Sequence, residues 1–223
     1  MTTVVLVHGA WHGGWCWEHL TPQLDRAGLD HVAVDLPFTG HLDDVGCVRD
    51  ELDRLDGPKV LVGHSYGGLV ISGAADGRDD ISHLVYLCAF LFDEGGTVGD
   101  ELAGHIGAPL IEAMEWLPDG RSAIDPAKAT AAFFAACPTE LADAAIARLR
   151  PMDAATTAHP CLAAPWRSVP STFVVCEQDE AISPEAQHRM AARAGHVVSL
   201  DSDHSPLVSA VEQTAAVIVE AAR

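Results

Sequence analysis

The amino-acid sequence predicts an α/β protein: a mostly parallel six-stranded sheet with helices on both faces and a small helical cap. Three observations carry this. Short β-branched apolar runs alternate with stretches whose apolar residues recur at helical spacing, the pattern of a parallel sheet crossed over by helices. One long Ala-rich stretch, residues 93–170, interrupts that alternation. A Gly-x-Ser-x-Gly sits where one apolar run gives way to a helix. The core is accordingly assigned to residues 1–92 and 171–223, and a helical cap (lid) to residues 93–170.

Taken in order, residues 4–7 form a first apolar run that ends at His8-Gly9 and reads as a buried strand entering a loop. Residues 15–27 have helical spacing, with Trp17, Leu20 and Leu24 on one face. A second strand is expected over 29–36, closed by Pro37, then a helix over 45–55. A third strand over 59–62 leads into a helix over 66–75, and a fourth strand follows at 81–90. Beyond the cap, Pro170 introduces a fifth strand at 171–176. A helix follows over 184–194, with Pro184 suited to its first turn. A sixth strand at 197–200 and a closing helix over 206–222 complete the core. Within 93–170 no strand pattern is evident, and Pro118, Pro126, Pro138, Pro151 and Pro160 divide it into short helices.

The whole-chain balance narrows the function. With 13 Lys+Arg against 32 Asp+Glu, the formal net charge is −19. A surface this acidic repels phosphate backbones and anionic lipid, so neither nucleic acid nor membrane is an expected partner. No apolar stretch reaches the length of a membrane span, and no basic leader with an apolar core opens the chain. The six cysteines are scattered, with no CxxC pair, which fits free thiols and a cytoplasmic location. No HExxH and no calcium-binding loop occurs, so neither a metal nor another cofactor is expected. Nothing in the sequence sets an oligomeric state.

The chemistry centres on Gly63-His64-Ser65-Tyr66-Gly67, which follows the apolar run Lys59-Val60-Leu61-Val62 and opens a helix. Small residues on either side allow a sharp turn that holds a serine in a strained conformation with its hydroxyl exposed. The following helix points its amide dipoles at charge developing near Ser65. An alcohol nucleophile needs a base, and the base needs a group to orient it. Twelve histidines are present, so composition does not choose among them. His204 stands in a short polar loop between the last strand and the last helix, at the sheet edge where such folds place working residues. Asp179 follows the fifth strand; Glu177, Asp201 and Asp203 are its competitors.

The chain resembles the α/β-hydrolases, and more narrowly the branch containing plant methyl-ester hydrolases, plant hydroxynitrile lyases and related bacterial esterases. The resemblance rests on Val7-His8-Gly9-Ala10-Trp11-His12-Gly13-Gly14-Trp15-Cys16-Trp17, on Val34-Asp35-Leu36, and on Gly63 through Gly68. It continues through Val175-Cys176-Glu177-Gln178-Asp179 and Ser202-Asp203-His204. It implies a serine esterase with the triad Ser65, Asp179 and His204. It also implies an oxyanion hole made by the backbone amides of Ala10 and Tyr66, the latter being the residue after the nucleophile. The apolar tendency of the candidate pocket residues suggests a small or medium uncharged ester as substrate, cleaved through an acyl-enzyme. His12, Met114, Trp116, Phe133 and Phe134 are candidate substrate contacts, with Met152 beside them. Two alternatives are a C–C lyase of the hydroxynitrile type and a non-catalytic small-molecule binder. The plant lyases carry a lysine after the catalytic histidine and a hydroxyl side chain after the first His. This chain has Ser205 and Gly9 at those places.

Overall fold

The computed structural model describes residues 2–223. The chain enters through β1 (Thr3–Val7), makes a 3-10 turn at Gly14–Trp17 and forms α1 (Thr21–Arg26) and β2 (Asp30–Val34). It continues through α2 (His41–Leu52), β3 (Lys59–His64), α3 (Gly67–Ala75) and β4 (Ile81–Leu87). The inserted stretch holds α4 (Val98–Glu101), α5 (Ala108–Ala113), β5 (Met114–Trp116), β6 (Arg121–Ile124) and α6 (Ala129–Phe133). It closes with α7 (Thr139–Ile146), β7 (Met152–Asp153), α8 (Ala155–Ala158) and a 3-10 turn at Pro165–Arg167. The core resumes with β8 (Ser171–Cys176), α9 (Pro184–Ala191), β9 (His196–Leu200), α10 (Pro206–Ser209) and α11 (Val211–Ala221).

The main sheet has six strands in the order β2-β1-β3-β4-β8-β9. Every neighbouring pair in it runs parallel. Side chains alternate between its faces, as the two-residue period of a strand requires. Val5, Val7, Leu61, Leu84, Tyr86, Phe173 and Val175 pack on one side, with α2, α3 and α9. Val4, Leu6, Val60, Val62, Val85, Leu87 and Val174 pack on the other, where α1 and α11 supply Leu24 and Ile218. The central strands are therefore apolar on both faces, which is why they read as unbroken hydrophobic runs. The chain starts in β1, goes out to β2, and returns to β3 on the far side of β1. That reversal opens a crevice beyond the carboxyl ends of β1 and β3, where ligands bind in open parallel sheets.

Three local expectations are corrected. The helix expected over 15–27 is a 3-10 turn and a separate α1, because Pro22 requires a new helix start. The closing helix breaks at Ala210, whose φ of −136° and ψ of 45° lie outside helical geometry. The inserted stretch is not purely helical: β5, β6 and β7 form a three-stranded antiparallel sheet. These strands carry few β-branched residues, so strand propensity does not reveal them. The signal was the turn between β5 and β6. Leu117-Pro118-Asp119-Gly120-Arg121 is a proline–aspartate–glycine hairpin, with Gly120 at φ +87° and Leu117 N–H donating to Arg121 O at 2.8 Å. No helix among the described residues is long and apolar enough to cross a membrane.

Candidate active site

The turn from β3 into α3 carries Ser65. Its backbone adopts φ +52°, a left-handed conformation a serine rarely holds. Hydrogen bonds on both sides hold it there: Ser65 N–H donates to Leu87 O at 3.1 Å, and Ser65 O accepts from Gly68 N–H and Phe90 N–H, each at 3.0 Å. Gly67 is required at the next turn. A Cβ there would stand 2.5 Å from Val7 O and 2.8 Å from His8 O, so β1 and the start of α3 could not approach as closely.

His204 and Asp179 come from the loops after β9 and β8. The two side chains are buried and meet at 2.6 Å between His204 Nδ1 and Asp179 Oδ2. Asp179 is saturated by further donors. Its Oδ1 accepts from Ala181 N–H at 2.8 Å and Ile182 N–H at 2.9 Å, and its Oδ2 also accepts from Gln187 Nε2 at 2.7 Å. Gln187 is itself fixed, accepting from Cys176 N–H at 2.9 Å and donating to Ile182 O at 2.9 Å. The carboxylate is thus immobilised, with one oxygen turned to the imidazole. Two of its three competitors are committed elsewhere. Glu177 faces His188 at the surface. Asp203 Oδ1 accepts from Ser205 N–H and Ser209 Oγ, and its Oδ2 from Ala136 N–H.

His64, directly before Ser65, has a part that sequence reasoning missed. Its Nε2–H donates to the backbone carbonyl of His204 at 2.8 Å, and the Cys88 thiol points at the same oxygen at 3.6 Å. The residue preceding Ser65 therefore holds the loop that carries His204. Burial keeps His64 well below the usual imidazole range, so it stays neutral and keeps this tautomer. No sequence signal distinguishes it, since it is one histidine among twelve. His64, Cys88 and His204 also bring potential metal-binding atoms within 4.8 Å of one another. Two of the three are already spent on the His204 carbonyl.

The loop after β1 is shaped by histidines. His8 Nδ1–H donates to Gly9 O at 2.9 Å, and its Nε2 accepts from Leu36 N–H at 3.0 Å. His12 Nδ1–H donates to Ala10 O at 2.7 Å, fixing the peptide that follows Ala10. Burial drives His12 down to about 3, so it too is neutral. Neither the Ala10 nor the Tyr66 amide donates to a protein acceptor among the described residues. The Tyr66 side chain points away into the core, where its hydroxyl donates to Asp44 Oδ2 at 2.8 Å and lies 3.1 Å from His41 Nδ1.

Ser65, His204, Ala10, His12 and His64 share the wall of a cavity of about 200 Å³. This is smaller than the roughly 300–1,000 Å³ of a drug-sized ligand pocket. Met114, Trp116 and Phe133 line it from the inserted stretch. Trp116 stands at the rim, 66% exposed, and Phe133 lies over His204 with ring centres 5.7 Å apart. Phe134 and Met152 do not line it; both are buried behind the wall, Phe134 against His12 and Phe133. The remaining wall includes residues that sequence reasoning passed over: Trp11, Phe90, Ile106, Leu110, Ser122 and Ile182. Among the described residues, no Lys, Arg, Asp or Glu side chain lines it.

Comparison with known proteins identifies the family and the fold. The model of the alpha/beta hydrolase family matches residues 4–217. The alpha/beta hydrolase nvfD of Aspergillus novofumigatus is 29% identical over 92% of this chain and 90% of its own length. A carbendazim hydrolyzing esterase of Nocardioides sp. is 41% identical over 44% of this chain and 46% of its own. Among solved structures, a pyrethroid hydrolase from Sphingobium faniae superposes with a TM-score of 0.86 at 26% identity, covering 99% of this chain and 97% of that one.

Proposed function

The chain belongs to the alpha/beta hydrolase family, and from that premise we propose that it is a serine esterase in which Ser65, His204 and Asp179 act as the catalytic triad. The observation that carries this reading is the 2.6 Å contact from Asp179 to His204 Nδ1, with His204 and the strained Ser65 on one cavity wall. Asp179 fixes the tautomer of His204 so that Nε2 is the free base. His204 takes the Ser65 proton as Oγ attacks the ester carbonyl. The amides of Ala10 and Tyr66 hold the resulting oxyanion. His204 then protonates the leaving alcohol, and a water activated by the same ring releases the acid and frees Ser65.

The uncharged wall and the small volume favour compact, uncharged esters. The ester-cleaving names among its relatives, a carbendazim hydrolyzing esterase and a pyrethroid hydrolase, support the same chemistry. No lysine reaches the cavity, which leaves the lyase reading without a cation near the leaving group. Residues 93–170 act as a lid: they supply Met114, Trp116 and Phe133 to the wall and exclude bulk water from the oxyanion. All six cysteines are free, which supports a cytoplasmic location. The test is turnover of p-nitrophenyl esters of graded chain length, with covalent labelling by a fluorophosphonate. Ser65→Ala should lose labelling and at least about 10³-fold in kcat while keeping its circular dichroism spectrum. Comparable turnover by the variant and the parent would overturn the reading.

A further inference from the structure

Ser122, on β6, has no part in the chemistry above, yet it is buried and lines the cavity. Its Oγ accepts the indole N–H of Trp11 at 3.1 Å. A serine hydroxyl has one proton and two lone pairs. Here one lone pair is filled, and the proton goes to no protein acceptor among the described residues. The N–H donated into Oγ also polarises the O–H and makes it a better donor. Trp11 is not free to swing away. Its backbone is held at φ +60°, unusual for a bulky aromatic, and its carbonyl accepts Arg150 N–H at 2.9 Å.

The other polar groups on the wall do not duplicate this one. Ser65 and His204 are the reacting pair. His12 and His64 are neutral, and each spends its one N–H on a backbone carbonyl, so neither ring has a proton to offer a ligand. Thr157 is only half-buried. The Trp116 indole N–H belongs to a ring 66% exposed at the rim, the remaining side chains of the wall are apolar, and a buried donor on such a wall costs binding energy unless the ligand brings an acceptor.

We propose that Ser122 is a specificity-determining residue whose hydroxyl donates to a second acceptor oxygen of the substrate, an ether or carbonyl oxygen remote from the ester being cleaved. This rests on the esterase reading and names its substrate class: compact, uncharged esters that carry a further acceptor oxygen. Trp11 positions the serine.

The test uses two families of synthetic esters. In one, each methylene of a linear acyl chain is replaced in turn by an ether oxygen. In the other, the replacement is made along the alcohol chain. Each rate is divided by that ester's own alkaline hydrolysis rate, to remove intrinsic reactivity. In the parent enzyme at least one oxygen position should raise kcat/KM about fivefold over the all-carbon ester, the value of one net hydrogen bond. Ser122→Ala should bring that ratio close to one. Ser122→Thr, which keeps the hydroxyl, should retain it, and Trp11→Phe should reduce it. A ratio near one at every position in the parent enzyme would overturn the proposal. So would a Ser122→Ala variant that slows oxygenated and all-carbon esters equally, since the serine would then only latch the lid to the loop after β1. Ser65-dependent hydrolysis without any oxygen preference defeats this proposal and leaves the esterase intact. Hydrolysis that survives Ser65→Ala defeats both.

Discussion

His12 should make the folded chain sensitive to acid, and the size of the effect follows from its burial. The ring is 2% exposed, donates Nδ1–H to Ala10 O, and leaves Nε2 with no hydrogen-bond partner. Burial lowers it from 6.5 to about 3. The sign follows from linkage: a base depressed in the folded state is neutral in both states above pH 6.5, so it contributes nothing there. As pH falls below 6.5 the unfolded chain takes up a proton that the folded chain refuses. Stability is lost through that window, down to about pH 3. At pH 5 the unfolded ring is almost fully protonated and the folded ring hardly at all, which amounts to about 2 kcal/mol relative to pH 8. The perturbation is His12→Gln, which keeps an amide donor for Ala10 O but cannot titrate. Urea unfolding followed by circular dichroism at pH 8 and pH 5 gives the stability of parent and variant at each pH. The variant should be less stable than the parent at pH 8, yet lose about 2 kcal/mol less on going to pH 5. The buried His64 is present in both proteins, so its own acid penalty cancels. Equal losses for the two proteins would refute the reasoning and would mean that the His12 site opens to water before it titrates.

Two further outcomes follow from the carboxylates. Asp179→Asn must set an amide N–H₂ against either the Ala181 and Ile182 amides or the Gln187 and His204 N–H groups, so it should cut kcat by about 10⁴ in burst-phase assays with a p-nitrophenyl ester; a loss under about tenfold would remove Asp179 from the triad. Asp203→Asn should weaken the bond from Ala136 N–H, now 2.8 Å, and speed hydrogen exchange over residues 134–138 while the central strands β1 and β3 keep their protection; unchanged exchange there would show that Asp203 does not hold the lid.

The legible part of this molecule is the part governed by pattern. The sheet strands announce themselves because burial on both faces demands continuous apolar runs, and β1, β3 and β8 fall within two residues of their expected ends. Ser65 stands out because a strand–turn–helix with small flanking residues has few other uses. Asp179 and His204 are legible as loop residues after strands, and the family blocks around them select among competitors that spacing alone leaves open. What was hidden depends on contacts between distant parts of the chain. His64 is chemically indistinguishable from eleven other histidines until the fold brings it to the His204 carbonyl. Phe133 and Phe134 are adjacent and equally apolar, yet only the first faces the cavity, because α6 ends between them and Phe134 takes a non-helical backbone. The β5–β6 hairpin was written in its Pro-Asp-Gly turn and missed because its strands lack the β-branched residues that propensity rewards.

The inserted stretch is tied to the loops that carry Ala10, Asp179 and His204, and this constrains how it can move. Its Ser122 accepts from Trp11 in the loop after β1, and Arg150 grips the same loop through Trp11 O and His12 O. Asp153 N–H donates to Phe38 O in the loop after β2. Gly107 N–H donates to Ala181 O two residues beyond Asp179, and Ile106 bridges to Ile182 beside it. Ala136 N–H reaches Asp203, the neighbour of His204. A lid hinged as one rigid flap would have to break all of these together, at roughly 1 kcal/mol or more for each buried hydrogen bond. Displacing the β5–β6 hairpin alone breaks, of these ties, only the Ser122 contact, together with the β6–β7 pairing. We expect the exposed Trp116 rim and the β5–β6 turn to move more readily than α6, whose Phe133 lies over His204. The Trp11–Ser122 bond is thus one of the contacts that tie the proposed lid to the loop after β1, and it lies at the strand that carries the β5–β6 hairpin.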